Sequence, residues 1–216
     1  MISSLFNLSV IAEIVCFVAA IILLNKKSGV WQLFIPFLFI TLVTETTGWY
    51  IFMVEKQSNH WLYYVFNTLE SAFYAGMFIS TGKLFFNRRI LILAITLITF
   101  AFCNYLAQEI FKVIENNNYT KVFGDISALY VSCLFFYVKL REDIHSNLLK
   151  NEFFWFAIGV LFGSLGSAIA DIFRNLLTNV HNQTGVPLFT YIMNALDVLL
   201  YGSFIVAFLC RRINTK

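Results

Sequence analysis

The fold is decided by the stretch LFTYIMNALDVLLYGSFIVAFLC, residues Leu188 to Cys210. It is as long as a helix must be to cross a bilayer, which takes roughly 20 mostly apolar residues. Its one ionisable acid is Asp197. Because a helix satisfies its own backbone hydrogen bonds in hydrocarbon, this stretch predicts a transmembrane helix with a single carboxylate inside the membrane.

Six comparable apolar runs precede this stretch. The 216 residues are 59% hydrophobic and 12% charged, whereas soluble domains carry roughly 25% charged residues. We therefore predict an all-α, polytopic membrane protein in which residues 1–216 form a single transmembrane domain. The predicted spans are 5–24, 30–54, 61–84, 90–110, 119–140, 153–177 and 188–210.

The distribution of Lys and Arg predicts the orientation. The first, third and fifth connections and the C-terminal tail hold eleven of the 15 cations, and cytoplasmic loops carry this excess. The N-terminus is thus expected outside and the C-terminus in the cytoplasm, in a plasma membrane or a bacterial inner membrane. The cations on the other side are Lys56, Lys112, Lys121 and Arg174.

The composition also limits the partners and cofactors. No polar tract is long enough to form a soluble domain, so the expected partners are the lipid bilayer and a small ligand, and nucleic acid is not expected. A sensor of this length would need a cytoplasmic signalling partner, since the tail after Cys210 is short. The scattered Cys and His residues indicate no metal site and no haem, and we expect no cofactor.

The third and seventh spans share a polar pattern. An offset of 127 residues places Asn67 on Asn194 and Glu70 on Asp197, so both spans contain Asn-x-Leu-acid-x-x-x-Tyr. The first and second spans correspond in the same way to the fifth and sixth through their acids. The pattern predicts a parallel repeat of three helices, one helix and three helices.

Acidic residues within the spans indicate a functional site. With about 1.5 Å of rise per residue, all of them fall in the outer half of the membrane. A lone acid at mid-bilayer costs about 2.5–3.5 kcal/mol, so we expect these acids to face one another, a cation or water. They are Glu13, Glu45, Glu70, Asp125, Asp171 and Asp197, whereas Glu109, at the outer end of the fourth span, is expected to be an interfacial charge.

The simplest arrangement is a polar cavity among the helices that opens to the outside. Arg174 follows Asp171 by three residues and would pair with it, but the other acids lack a partner and predict shared protons or a bound cation. The alternative is that each acid is protonated and hydrogen-bonded across the bundle. The predicted ligand-binding residues are Glu13, Glu45, Asn67, Glu70, Asp171, Arg174, Asn194 and Asp197.

Small residues in the sixth span predict a close helix contact. Gly159, Gly163, Gly166 and Ala170 recur every three or four residues, with a GxxxG step. Such seams let two helix backbones approach each other in a membrane. The seam ends at Asp171, which would place that acid against a neighbouring helix.

The three-one-three arrangement with an outside N-terminus resembles the architecture of SWEET-like sugar transporters, nicotinamide riboside transporters and microbial rhodopsins. The resemblance covers the whole chain and implies a binding or transport protein. A retinal protein needs a Lys in its seventh span for the Schiff base, and residues 188–210 contain none.

A second resemblance is to lysoplasmalogenase-like membrane hydrolases. It rests on Gly124-Asp125 and on the small-residue run from Gly163 to Asp171. It implies an intramembrane lipid hydrolase in which paired carboxylates, with Glu45, Asp125 and Asp171 as the candidates, activate water. We favour the non-enzymatic hypothesis, a transporter or sensor that binds a small polar or cationic ligand, or protons, in the acidic cavity.

Overall fold

The computed structural model describes residues 8–24, 26–80, 119–141 and 148–214, and within these ranges it is helical without any strand. This confirms the all-α prediction. The helices are α1 (Leu8–Leu23), α2 (Phe34–Tyr50), α3 (His60–Ile79), α4 (Tyr119–Leu140), α5 (Glu152–Ile172), α6 (Arg174–Thr184) and α7 (Leu188–Asn214).

Four helical stretches are long and apolar enough to cross a membrane: Gly29–Glu55, Lys121–Leu140, Glu152–Ile172 and Leu188–Asn214. They identify the chain as a membrane protein. Helix α1 is apolar but shorter, at 16 residues, and α3 is not among the four. The span predicted at 90–110 lies outside the described residues.

The sixth predicted span is wrong at its C-terminal end. Helix α5 stops at Ile172, and Phe173 leaves the helical conformation (φ −92°, ψ 12°). Because the sequence RNLLTNVHNQT that follows is largely polar, it forms the separate helix α6 and does not continue through hydrocarbon. Gly185 ends α6 with a φ of 73°, a left-handed conformation that glycine adopts at little cost.

Six helices form a closed ring. Contacts run from α1 to α2, α2 to α3, α3 to α4, α4 to α5, α5 to α7 and α7 back to α1. Helix α6 packs beside α5 and α7. In this ring α1 lies opposite α4, α2 opposite α5, and α3 opposite α7.

One end of the ring is filled with aromatic side chains, which we call the aromatic core. Phe34 at the start of α2 is completely buried, and its ring lies 4.9 Å from that of Phe73 and 5.0 Å from that of Phe208, measured between centroids. Edge-to-face pairs of this kind stabilise beyond the area they bury. The core therefore closes this end of the bundle. It consists of Trp31, Phe34, Phe73, Phe156, Phe204 and Phe208.

The small-residue seam of α5 contacts α7, as the glycine spacing predicted. A Cβ added at Gly159 would lie 3.1 Å from the Cβ of Ser203 and 3.3 Å from the carbonyl oxygen of Leu200. It would collide outright with the Ser203 hydroxyl. The two backbones approach as closely as they do because residue 159 has no side chain.

Gly159→Ala is therefore expected to lower the free energy of unfolding by about 1–3 kcal/mol, the usual effect of overpacking. Thermal melting in detergent measures this as a lower melting temperature. Gly202→Ala on α7 is the matched control, because a Cβ there meets no atom of the described residues within 4 Å. Adding Ser203→Ala should restore part of the loss, and a Gly159→Ala protein that melts like the native one would contradict the prediction.

Candidate functional site

A cavity of about 380 Å³ lies at the end of the ring opposite the aromatic core. All six ring helices contribute to its wall. Its volume falls within the roughly 300–1,000 Å³ of small-molecule sites. Five carboxylates from five different helices line it: Glu13 of α1, Glu45 of α2, Glu70 of α3, Asp125 of α4 and Asp197 of α7.

Six of the eight predicted ligand-binding residues line this cavity, and Asp171 and Asn194 are the two exceptions. Asp171 lies just behind the wall, where it holds two cavity-lining cations. Asn194 lines a smaller neighbouring pocket and not the main cavity, because its position on α7 turns it toward α1 and α2. The predicted residues that line the main cavity are Glu13, Glu45, Asn67, Glu70, Arg174 and Asp197.

Four of the cavity acids lie within hydrogen-bond distance of a neighbouring hydroxyl, and the longest of these contacts joins Ser9 Oγ to Glu13 Oε1 at 3.4 Å. Tyr74 donates to Glu70 Oε1 at 2.7 Å, Tyr63 donates to Glu45 Oε2 at 3.2 Å, and Ser9 donates to Asp197 Oδ2 at 2.6 Å. These bonds orient the three carboxylates.

Two of the cavity acids each have one unpaired oxygen. Among the described residues, neither Glu13 Oε2 nor Asp125 Oδ2 has a hydrogen-bond partner, although both atoms are buried. Glu13 as a whole is only 4% exposed. A buried acceptor without a donor costs about 1–3 kcal/mol, and more when it is charged. These two oxygens are enclosed by protein atoms and have almost no surface exposed to the cavity.

Asp171 is the centre of a buried ion-pair network. Its carboxylate lies 2.8 Å from Lys121 Nζ and 2.6 Å from Arg174 Nη2. The predicted pairing of Arg174 with Asp171 is confirmed, and Lys121 is a second cationic partner that the sequence did not indicate. Lys121 begins the fifth predicted span and was grouped with loop cations, but the packing of α4 on α5 brings it into the cavity wall.

Negative charge predominates around the cavity even after this pairing. The described residues supply six carboxylates, the five that line the cavity and Asp171, against the two cations Lys121 and Arg174. In a site of low dielectric such an excess must be neutralised by protons or by a bound cation. The arrangement is thus suited to binding a positively charged ligand.

Aromatic side chains form much of the remaining wall, and sequence reasoning did not assign most of them to the site. Tyr74 and Tyr201 were visible as the matching tyrosines of the two polar patterns. Tyr64 matched Tyr191 at the same offset, whereas Tyr63 and Phe66 carried no comparable signal, because aromatic residues are frequent throughout the chain. Aromatic faces attract cations, so this wall adds to the effect of the acids.

The smaller pocket, of about 270 Å³, lies between α1, α2 and α7. It shares Ser9, Glu45 and Asp197 with the main cavity. The Ser9–Asp197 hydrogen bond therefore stands in the partition between the two spaces. Asn194 and Trp49 line the far side of that partition.

Within the described part of the chain, no three Asp, Glu, His or Cys side chains come together in an arrangement that would hold a metal ion. No protein-family model, no curated protein and no solved structure matches this chain.

Proposed function

We propose that this protein binds a small cationic ligand in its acidic cavity, as a membrane transporter or as a sensor. The observation that carries the proposal is the convergence of five carboxylates from five helices on one cavity, whose two lining cations are both held by Asp171. A cationic ligand supplies the positive charge that these carboxylates lack.

We further propose seven spans, with the cavity open to the outside and the C-terminus in the cytoplasm. Arg211, Arg212, Lys139 and Arg141 all belong to the end of the bundle that holds the aromatic core, as expected of a cytoplasmic face. Helix α3 ends at that face and α4 begins at the cavity end. An odd number of crossings between them, such as the predicted span 90–110, supports a total of seven.

The order of helices in the ring supports the proposed repeat. The repeat pairs the first, second and third spans with the fifth, sixth and seventh, which correspond to α4, α5 and α7. Each pair lies on opposite sides of the ring, as a pseudo-twofold axis along the bundle would require. Glu70 and Asp197, the matching acids of α3 and α7, both line the cavity.

The transporter and sensor hypotheses require different movements of the aromatic core. It closes the bundle below the cavity, so a transported ligand would pass only after rings such as Phe34 and Phe204 moved apart. A sensor needs only a small change in helix packing, passed to a cytoplasmic partner. Both hypotheses require a ligand site that is reached from one side of the membrane.

The alternative, an intramembrane lipid hydrolase, is weakened by the ion pairs of Asp171. A carboxylate held by Lys121 and Arg174 is a poor proton acceptor, which leaves Asp125 and Glu45 as candidates. Release of a cleaved lipid by the purified protein, lost in Asp125→Asn, would favour the enzyme over the binding protein.

Cation binding is expected to raise the melting temperature of the purified protein. A ligand at about 100 times its Kd stabilises the folded state by about 2.7 kcal/mol. Methylammonium, K⁺ and Ca²⁺ are suitable first probes in thermal melting, and Glu70→Gln or Asp197→Asn should abolish the shift. Glu55→Gln is the matched control, since Glu55 is exposed and does not line the cavity; equal shifts in all variants would contradict the proposal.

A further inference from the structure

We propose that α6 is an interfacial helix, whose exposed apolar side binds the lipid bilayer at the membrane boundary on the cavity end of the bundle. This role is independent of the cation-binding function. It gives a membrane contact to the helix that begins with Arg174, one of the two cations of the cavity wall.

The first argument is a stripe of exposed apolar side chains that runs along α5 and continues onto α6. Its members on α5, spaced three or four residues apart, are Phe162, Leu165, Ile169 and Ile172. Because α5 is long and apolar enough to cross a membrane, these side chains face lipid.

The stripe crosses the break at Phe173. The amide of Phe173 donates to the Ile169 carbonyl, and the amide of Leu177 donates to the Phe173 carbonyl, so the helical register continues from α5 into α6. Leu176 therefore extends the stripe, and its side chain is 60% exposed. The apolar side of α6 is thus continuous with the lipid-facing surface of α5.

The second argument is the depth of α6. A membrane-spanning helix needs roughly 20 residues, and α5 has 21, so its end at Ile172 lies near one boundary of the hydrocarbon. The Arg174 guanidinium lies 4.6 Å from the ring centroid of Phe189, which places the start of α6 beside the start of α7. Residues 185–187 join the other end of α6 to Leu188, where α7 begins. Both ends of α6 are therefore held near the level at which α5 and α7 enter the membrane.

The third argument is the amphipathic and uncharged character of α6. Leu177 and Val180 are half-buried, whereas the polar side chains of the helix are exposed. Residues 175–184 contain no Lys, Arg, Asp or Glu, and His181 is their only titratable residue. Interfacial helices bind through buried apolar area together with attraction to anionic lipids. Without charged residues α6 has only the first of these contributions, so its binding should not depend on anionic lipid.

The area of the exposed apolar side favours lipid over a second protein. A stable protein interface takes about 800 Å² from each partner. Ile172, Phe173 and Leu176, the three exposed apolar side chains around the start of α6, supply only part of such an area. Lipid needs no minimum area, because it already covers the adjoining stripe of α5.

The test places an indole on either side of α6 in the full chain, reconstituted in phosphatidylcholine vesicles. Leu176→Trp adds it to the apolar side, and Thr178→Trp adds it about 200° further around the helix, at an exposed polar position. Subtracting the fluorescence of the native protein isolates the added indole. We expect phosphatidylcholine brominated near its headgroup to quench Leu176→Trp at least about twofold more strongly than Thr178→Trp, because an interfacial helix buries its apolar face by about 5–10 Å. Added phosphatidylglycerol should leave this ratio unchanged.

Three results would overturn the interfacial helix. The first is equal quenching in the two variants, and the second is quenching of Leu176→Trp that appears only when anionic lipid is present. The third is an indole in Leu176→Trp that lipid quenches only after dilution separates a dimer, which would assign this side of α6 to a second copy. Phe173→Trp and Asn182→Trp repeat the comparison at another pair of exposed positions, so that a variant that melts below the native protein does not decide the outcome.

Discussion

Replacing Asp171 by Asn is expected to lower the free energy of unfolding by about 2–4 kcal/mol, somewhat less than for a wholly buried ion pair, because the side chains of Lys121 and Arg174 are 23% and 38% exposed. The Asp171 side chain is fully buried and contacts Lys121 at 2.8 Å and Arg174 at 2.6 Å. The amide that replaces it carries no charge, so two cations would remain beside the cavity without their counter-ion. Unfolding in mixed detergent micelles measures the loss.

A double-mutant cycle tests whether the effect comes from the ion pairs. Lys121→Gln added to Asp171→Asn removes one of the uncompensated cations and should restore part of the stability. The control is Glu55→Gln, an exposed acid whose loss should change stability by less than about 0.5 kcal/mol. If Asp171→Asn unfolds within about 1 kcal/mol of the native protein, the network does not stabilise the fold as we describe.

Phe34→Ala is expected to have a comparably large effect, about 3–5 kcal/mol for a completely buried ring. The Phe34 ring lies 5.3 Å from the Phe204 ring and 5.7 Å from the Phe156 ring, so it joins α2 to α7 and α5. Its removal would leave a space where three helices meet. The melting temperature in detergent should fall well below that of the native protein.

Phe39→Ala provides the matched control for Phe34→Ala, because Phe39 lies on the same helix and is 55% exposed. A lipid-facing ring loses few protein contacts when it is truncated, so this variant should melt close to the native protein. Equal losses in the two variants would show that the aromatic core is not the main source of stability at this end of the bundle.

The elements that the sequence predicted best were those specified by local composition. The uninterrupted apolar stretch 188–210 became α7, and the glycine spacing of α5 became a close contact with α7. The presence of acids within apolar runs also predicted which way their side chains face. Because lipid solvates a carboxylate so poorly, Glu13, Glu45 and Glu70 had to face inward, and they line one cavity.

Two features depended on how helices pack and were predicted wrongly. Lys121 looked like a loop cation, since a Lys at a span end is usually solvated, but α5 places Asp171 beside it. Asn194 looked equivalent to Asn67, yet it faces the smaller pocket between α1, α2 and α7. A difference of this kind follows from the rotation of a helix about its axis, which hydropathy alone does not determine.

The sequence by itself determined that this is an all-α membrane protein with carboxylates inside its helices, because the bilayer imposes length, apolarity and inward-facing charge on each segment separately. Only the tertiary structure decided which of those carboxylates are paired. Asp171 is held by two cations, and Glu45, Glu70 and Asp197 accept hydroxyl hydrogen bonds. Glu13 and Asp125 each have one buried oxygen without a hydrogen-bond partner among the described residues. The reason is physical: pairing depends on distances of a few ångströms between side chains from different helices, which the closed ring alone establishes.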